Sequence, residues 1–452
     1  MVKLRIGFST THMIMLSFFV AVIIGSILLS LPISTADGKG VPLIDAVFTA
    51  TTAICVTGLV TVPTVSTWSI FGQIVLLLLI QIGGLGIITI MSGILISFNK
   101  KFGIRDRMLI QDAFNLNSMS GLIRFLKKVF IGTFVVEGAG ALLYMTVFVP
   151  QFGVRGIWIS VFNSVSAFCN AGIDIISENS LCDYSRNVVV NAVTSALVIL
   201  GGLGYIVWWD VIKALGRLKS RGLRCFSELT LHSKLVLSIT FALLLAGTAA
   251  FFIFEYNNPL TIRDYSLPEK LQASFFQSVT TRTAGFATIP QKDITNASAV
   301  FSLLLMFIGG SPVGTAGGVK TVTIAVVVFS ALAAIRNKDG VSLFHRSIPK
   351  PAISKAAAVV CTSFMIMFLS TVLLSAVTDA SVIDIAYETV SATATVGLTR
   401  DLTPTLNIAG KIIIIVTMYL GRVGPISLLV AFKTKKDSMN IIKDPTEDIS
   451  IG

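Results

Sequence analysis

The sequence predicts an all-α membrane protein of four helix–pore-loop–helix repeats, with eight transmembrane helices and four re-entrant hairpins around a central ion pore. Three observations carry that prediction. Of the 452 residues 54% are hydrophobic and only 13% are charged, a balance far from that of a soluble chain. An eleven-residue pattern running from an aromatic residue to a glycine occurs four times, as FTATTAICVTG (Phe48 to Gly58), FNSVSAFCNAG (Phe162 to Gly172), FFQSVTTRTAG (Phe275 to Gly285) and YETVSATATVG (Tyr387 to Gly397). Its glycines stand 114, 113 and 112 residues apart, close to a quarter of the chain, which is the mark of internal repetition. Finally, every copy lies between two long apolar segments.

The elements follow in order. The first apolar segments of the repeats cover 13–31, 125–149, 234–254 and 356–378. Met13 to Leu31 holds no charge, enough to cross a bilayer core as a helix and too long for a signal peptide despite Lys3 and Arg5 ahead of it. The Ser/Thr-rich stretch that ends at each glycine is amphipathic and too short to span. The second segments cover 68–98, 188–212, 297–335 and 408–432. Irregular backbone at membrane depth survives only against protein or a water-filled cavity, so four hairpins converge on an axis. The repeats divide the chain into 1–110, 111–222, 223–345 and 346–452.

Charge sets the orientation. The segments on one side hold 24 Lys/Arg against 9 Asp/Glu, and those on the other hold 8 against 13. Basic loops stay in the cytoplasm, so both termini are expected inside, and the chain is expected to pass several times through the cell membrane with its hairpins entering from outside. The net charge of +12 then reflects topology and lipid contact, and nucleic-acid binding is not expected. Five cysteines without a CxxC and three scattered histidines form neither a disulfide framework nor a metal cluster.

A selectivity filter replaces an ion's water shell with rings of backbone carbonyls, and glycine lets the backbone aim them. The triplets Val56-Thr57-Gly58, Asn170-Ala171-Gly172, Thr283-Ala284-Gly285 and Thr395-Val396-Gly397 suit that task, with the permeating cation held at the four glycines. The alternative is that these glycines only end four short helices as C-caps. GGLG at 83–86 and at 201–204 reads as close helix packing, since no strand precedes it and GxGxxG is incomplete. GTAGGVKT fails as a phosphate loop for similar reasons, so no nucleotide site is expected on this chain.

Four charges are expected inside the membrane. Arg422 reads as a positive barrier below the filter, the alternative being an ion pair with Glu137. Arg282 could bond to an acid such as Glu388 behind the filter, or snorkel outward. Lys320 belongs to GGSPVGTAGGVKT, Gly309 to Thr321, which interrupts the second segment of the third repeat. Pro312 removes a backbone donor, and Gly309, Gly310, Gly314, Gly317 and Gly318 disfavour helix, so two or three turns should be unwound, mobile and watered. With Ser311, Thr315 and Lys320 this stretch reads as an intramembrane gate. By spacing from the filter glycines, Gly84 and Gly421 of the first and fourth repeats match Gly310.

CVTGL (Cys55 to Leu59), TRTAGF (from Arg282 to Phe286) and GGSPVGTAGGVKT resemble the Trk/Ktr/HKT superfamily of potassium transporters, over essentially the whole chain. Eight spans look closest to the bacterial KtrB-type membrane subunit. The resemblance implies that one chain supplies all four filter quarters, that two chains form a homodimer, and that a cytoplasmic ring of nucleotide-binding RCK-type subunits controls the gate. It also implies that glycine at position 58, where sodium-passing relatives can carry serine, points to potassium. Whether sodium stimulates flux stays open. An alternating-access secondary carrier for a cation is the competing reading, although carriers usually bring two inverted halves and coupling acids. No enzyme is expected, since no GxSG with a membrane histidine, no HExxH and no paired membrane aspartates occur.

Overall fold

The computed structural model describes residues 10–87, 89, 90, 92, 121–338 and 340–424. One element order recurs four times in them: a long helix, a short helix, an irregular strand carrying one of the four glycines, and a second apolar helix. The long helices are α1 (Thr10–Ser30), α4 (Leu122–Phe152), α8 (Leu231–Glu255) and α12 (Lys350–Ser375). Each contains a stretch long and apolar enough to cross a membrane. Large side chains on them, such as Ile23, Leu142, Phe241 and Phe368, stay exposed, as helices bathed in lipid require.

The short helices are α2 (Leu43–Cys55), α5 (Val154–Phe168), α9 (Leu267–Thr280) and α13 (Val382–Ala394). Their C-terminal halves are mostly buried and carry the core inward. Phe48, Phe162 and Tyr387, the first residues of their motifs, are fully buried. The third motif departs by one residue, because Phe275 is 38% exposed and Phe276 takes the buried place. The turn that follows shows the same slip. Thr57, Ala171 and Val396 donate backbone bonds to the carbonyls of Thr52, Ser166 and Ser391, five residues back, whereas Ala284 donates to Thr280, four back.

The second helices are α3 (Ile70–Leu85), α6 (Val188–Leu203), α10 (Asn296–Phe307) and α14 (Ile408–Val423). All four start on a capping side chain: Ser69, Asn187, Thr295 and Asn407 accept from backbone N–H groups three residues on, satisfying donors a helix start leaves free. Two more helices, α7 (Tyr205–Leu215) and α11 (Thr321–Ile335), continue the second and third repeats.

Here the structure corrects the expectation that the third repeat alone is interrupted. The second segments of the first and second repeats leave the helix at Gly86 and Gly204 as well, and α14 ends at Gly424. Gly86, Gly204 and Gly424 adopt φ of 85°, 85° and 88° with ψ of 135°, 141° and 142°, a region open to glycine alone without strain. At Gly204 the axis turns by 101° from α6 into α7. Most of the chain beyond Gly86 and Gly424 lies outside the described residues, as do residues 1–9 and the basic stretches at 99–120 and 433–452. First and last repeats meet through an ion pair from Lys411 to Asp45 of 2.6 Å and a bond from the Tyr419 hydroxyl to the Met15 carbonyl of 2.7 Å.

Candidate functional site

The four motif glycines come together in a closed ring that follows chain order. A Cβ added to Gly58 would meet the Ala171 carbonyl at 2.6 Å, one on Gly172 the Ala284 carbonyl at 2.6 Å, and one on Gly285 the Val396 carbonyl at 2.6 Å. One on Gly397 would run into the Thr57 carbonyl. Each glycine thus abuts the residue just before the next glycine, leaving no room for a side chain.

The dihedrals repeat with the ring. Gly58, Gly172, Gly285 and Gly397 all have positive φ, and so do Val56, Asn170, Thr283 and Thr395, at 56°, 59°, 62° and 50°. Thr57, Ala171, Ala284 and Val396 between them are not among the positive-φ residues. Alternating handedness of this kind turns successive peptide carbonyls to one side of a strand. It also disposes of the simple C-cap reading, since the left-handed helix-ending residue lies two places before each glycine. Left-handed valine and threonine cost about 1 kcal/mol or more each, and strain of that size persists where surrounding structure enforces it. The enforcement is visible: Gly58 and Gly397 N–H groups bond to the hydroxyls of Thr52 and Ser391, both at 3.0 Å, and the Thr280 hydroxyl to the Phe286 carbonyl at 2.5 Å.

On one side of the ring lies a cavity of about 330 Å³ that ends on the four glycines. Asp174, Glu178 and Asp401 line it, and sequence reading missed all three, although a count of acids just after each motif would have found two. Burial pushes the Asp174 carboxyl up to about 6, partly offset by a hydrogen bond from the Ile176 N–H.

On the other side lies the interrupted stretch of the third repeat. Residues 308–320 are non-helical between α10 and α11. They are also well bonded, which corrects the expectation of watered, unpaired backbone. Ser311 N–H donates to the Gly202 carbonyl at 2.8 Å, Thr315 N–H to Gly201 at 3.1 Å, and Tyr205 N–H to Val313 at 3.1 Å. The GGLG of the second repeat is therefore the seat of this loop. From that seat the loop reaches under two of the short helices. The Thr315 hydroxyl lies 3.0 Å from the Phe168 carbonyl and 2.8 Å from Asn170 Oδ1, while an added Cβ on Gly317 would strike Thr395 and the Ala394 carbonyl. Pro312 and Gly314 sit against the break at Gly204, Gly310 against the Gly202 carbonyl, and Gly318 turns at a φ of 66°. Lys320 folds back on its own loop, donating to the Ala316 carbonyl at 2.5 Å.

Arg422 spans the same region. Its guanidinium donates to the Thr315 carbonyl at 2.8 Å and also to the Gly83 carbonyl. Glu137 makes no ion pair with it and accepts instead from Gln81 Nε2 at 3.3 Å. Arg282 bonds to neither acid nor water-facing surface: it is 8% exposed, and Nη2 lies 3.5 Å from the Gly309 carbonyl. Glu388 accepts from the hydroxyls of Thr399 and Thr403, so neither alternative left open for Arg282, a bond to an acid such as Glu388 or snorkelling outward, is what the structure shows. The register of Gly421 is corrected as well. Gly83, Gly201 and Gly421 are the equivalent set, each pressed on the carbonyl four residues before its motif glycine, at Ile54, Phe168 and Thr393. Gly84 follows Gly83 as Arg422 follows Gly421, so the arginine occupies a place where the first two repeats have Gly84 and Gly202.

A ring of positive-φ backbone thus sits among four helices long and apolar enough to cross a membrane, the build of a membrane protein. The comparisons say which kind. The TrkH family, described as a cation transport protein, matches residues 2–443, and the chain belongs to that family. It is 41% identical to the Ktr system potassium uptake protein B of Bacillus subtilis over 99% of this chain and 98% of that one. It is 37% identical to the potassium/sodium uptake protein NtpJ of Enterococcus hirae over 100% and 99% of the two chains. The crystal structure of the potassium transporter TrkH from Vibrio parahaemolyticus shares the fold, with a TM-score of 0.76 at 15% identity, covering 96% of this chain and 87% of the other.

Proposed function

We propose that this chain takes up potassium across the cell membrane as the channel-like, ion-translocating subunit of a potassium transport system. The closed ring of Gly58, Gly172, Gly285 and Gly397 carries the reading, because four backbone strands of alternating handedness around one axis offer carbonyl oxygens in place of an ion's water. The triplets ending in these glycines form the filter, and Thr57, Ala171, Ala284 and Val396 supply the carbonyls nearest the ring. The acidic cavity above it concentrates cations at the entrance. Residues 308–320 are the gate on the inner side. Arg422 latches it from the fourth repeat and adds a positive charge beneath the filter.

Regulation is assigned to partners. A second copy of the chain completes a homodimer, and a cytoplasmic ring of nucleotide-binding RCK-type subunits docks beneath the pore. The basic cytoplasmic segments suit that ring or anionic lipid. Sodium enters as a competitor and candidate stimulator, in keeping with a relative named for potassium and sodium uptake. Both termini lie in the cytoplasm, as the charge balance requires.

Gly58→Ser tests the filter. A side chain at a φ of 101° that meets the Ala171 carbonyl at 2.6 Å must displace one ring oxygen. The potassium-over-sodium uptake ratio in vesicles should fall roughly tenfold, the weight of one good polar contact, with folded protein retained. Equal ratios for the two proteins would remove Gly58 from the filter.

A further inference from the structure

Within the gating reading just given, we infer that Arg282 is the fixed-end anchor of the loop. The position three residues before the motif glycine is Cys55, Cys169, Arg282 and Ala394 in the four repeats. Where it is small, the neighbouring glycine closes directly on it: an added Cβ on Gly84 would meet Cys169 Sγ at 2.5 Å, and one on Gly318 would meet the Ala394 Cβ at 3.5 Å. Arg282 instead holds open a cavity of about 10 Å³ between α6, α8 and the loop, lined among others by Gly202, Thr240, Leu244 and Gly310.

The charge there needs a partner. A guanidinium buried at membrane depth is costly unless something negative faces it. No carboxylate pairs with Arg282 among the described residues, and its bonded partner is the Gly309 carbonyl. That carbonyl lies just past the C-terminal end of α10, the negative end of the helix dipole. α10 stops at Phe307, 22 residues after Gly285, whereas α14 runs to Val423, 26 residues after Gly397. Continuing α10 as a helix through Val313 would commit the Gly309 carbonyl to the N–H four residues on and take that free acceptor from the guanidinium. Arg282 therefore favours the broken helix and holds the second residue of the loop.

Two buried polar atoms facing this region, Arg282 Nε and Thr240 Oγ1, have no partner. The cavity accommodates about one water, the smallest volume that can hold one. A single water donating to Thr240 Oγ1 and accepting from Arg282 Nε completes the anchor, tying the long helix α8 to the loop. Arg282 immediately precedes Thr283 of the filter, so the anchor also fixes the loop relative to the third filter strand. It positions the gate and touches no permeating ion.

The test follows the loop itself. Ala316 is 1% exposed. With Ala316→Cys introduced into the full chain in liposomes, reaction of that thiol with a water-soluble maleimide reports release of the loop, read on the peptide by mass spectrometry. Arg282→Gln should raise the labelling rate about tenfold and raise potassium flux with it, while the potassium-over-sodium ratio holds. Arg282→Lys, which keeps the charge but loses the fork, and Thr240→Val, which removes the water's acceptor, should each raise labelling by about threefold. Thr240→Val keeps the test open should the arginine variants fail to fold. Unchanged labelling in the folded variants, or a changed ion ratio with unchanged labelling, would overturn the anchor. Faster labelling with unchanged flux would leave the anchor standing and would count against the loop as the gate.

Discussion

The third repeat and the other three differ most in the layer just below the glycine ring. In the first, second and fourth repeats a glycine of the second helix, Gly83, Gly201 or Gly421, lies on the last carbonyls of the short helix before it. That contact joins two rigid helices through backbone alone. In the third repeat α10 stops short, Gly309 faces its own loop at Gly317, and the layer is filled by thirteen residues of irregular chain. The comparison teaches that one architecture can be made stiff or movable by the choice at a single layer. Where glycine meets a helix-end carbonyl the repeat is locked. Where a loop intervenes, the proposed gate can move without disturbing the ring above.

The largest effect should come from removing that part. Deleting Pro312 to Gly318 takes away Thr315, Gly317 and every bond they make to Phe168, Asn170 and Arg422. If the closed loop leaves about 1% of pores open, its loss raises flux in liposomes holding this subunit alone by about a hundredfold. Control by a cytoplasmic partner should weaken in step. A folded deletion protein with unaltered, still partner-dependent flux would break the contrast between the repeats.

Arg422→Ala comes next. The side chain ties the loop to α3 through the Thr315 and Gly83 carbonyls, both neutral acceptors, and places a positive charge below the ring. Losing charge-assisted bonds of this kind should speed flux by roughly tenfold. Because no acid depends on Arg422 for charge balance among the described residues, yield and melting temperature should stay close to the parent. A well-folded variant with unchanged or slower flux would refute both the latch and the barrier.

Much of this layout was legible in the sequence, and the parts that were not have physical reasons. Motif period revealed the four strands because ring symmetry imposes equal spacing. Pro312 and five glycines exposed the loop because they bar helix at any depth. The helix ends at Gly86, Gly204 and Gly424 stayed hidden, since glycines in a hydrophobic helix read as packing until their dihedrals are seen. The one-residue slip from Phe275 to Phe276 was hidden because both are phenylalanine. The partners of Arg282, Arg422 and Glu137 could not be read at all. Pattern shows that a buried charge must be matched, but the acceptors turned out to be backbone carbonyls of Gly309, Thr315 and Gly83, and every residue has one.

A smaller effect sharpens the locked side of the comparison. Gly83→Ala forces a methyl group against the Ile54 carbonyl, whereas Gly138→Ala adds one into open space on α4. Overpacking against fixed backbone costs about 1–3 kcal/mol, so the first variant should lose several degrees of melting temperature and the second should not. Equal melting temperatures would mean that the glycine–carbonyl contact does not hold the repeat.

The smallest effect lies above the ring, where all four repeats share one cavity. Burial pushes Asp174 up to about 6, so it carries its charge above that pH and loses it below. Glu178 and Asp401 line the same space, so Asp174 is one of three carboxyl groups there. Lowering external pH from about 7.5 to about 5 should therefore reduce uptake at low potassium by about twofold, the scale of one charge at a wet entrance. The drop should shrink at physiological ionic strength, where the screening length falls to about 8 Å. Asp174→Asn should show the reduced rate at both pH values, with selectivity intact because the glycine ring is untouched. A variant that keeps the full pH dependence would assign it to another group, and a changed potassium-over-sodium ratio would mean that the cavity wall and the ring are not independent.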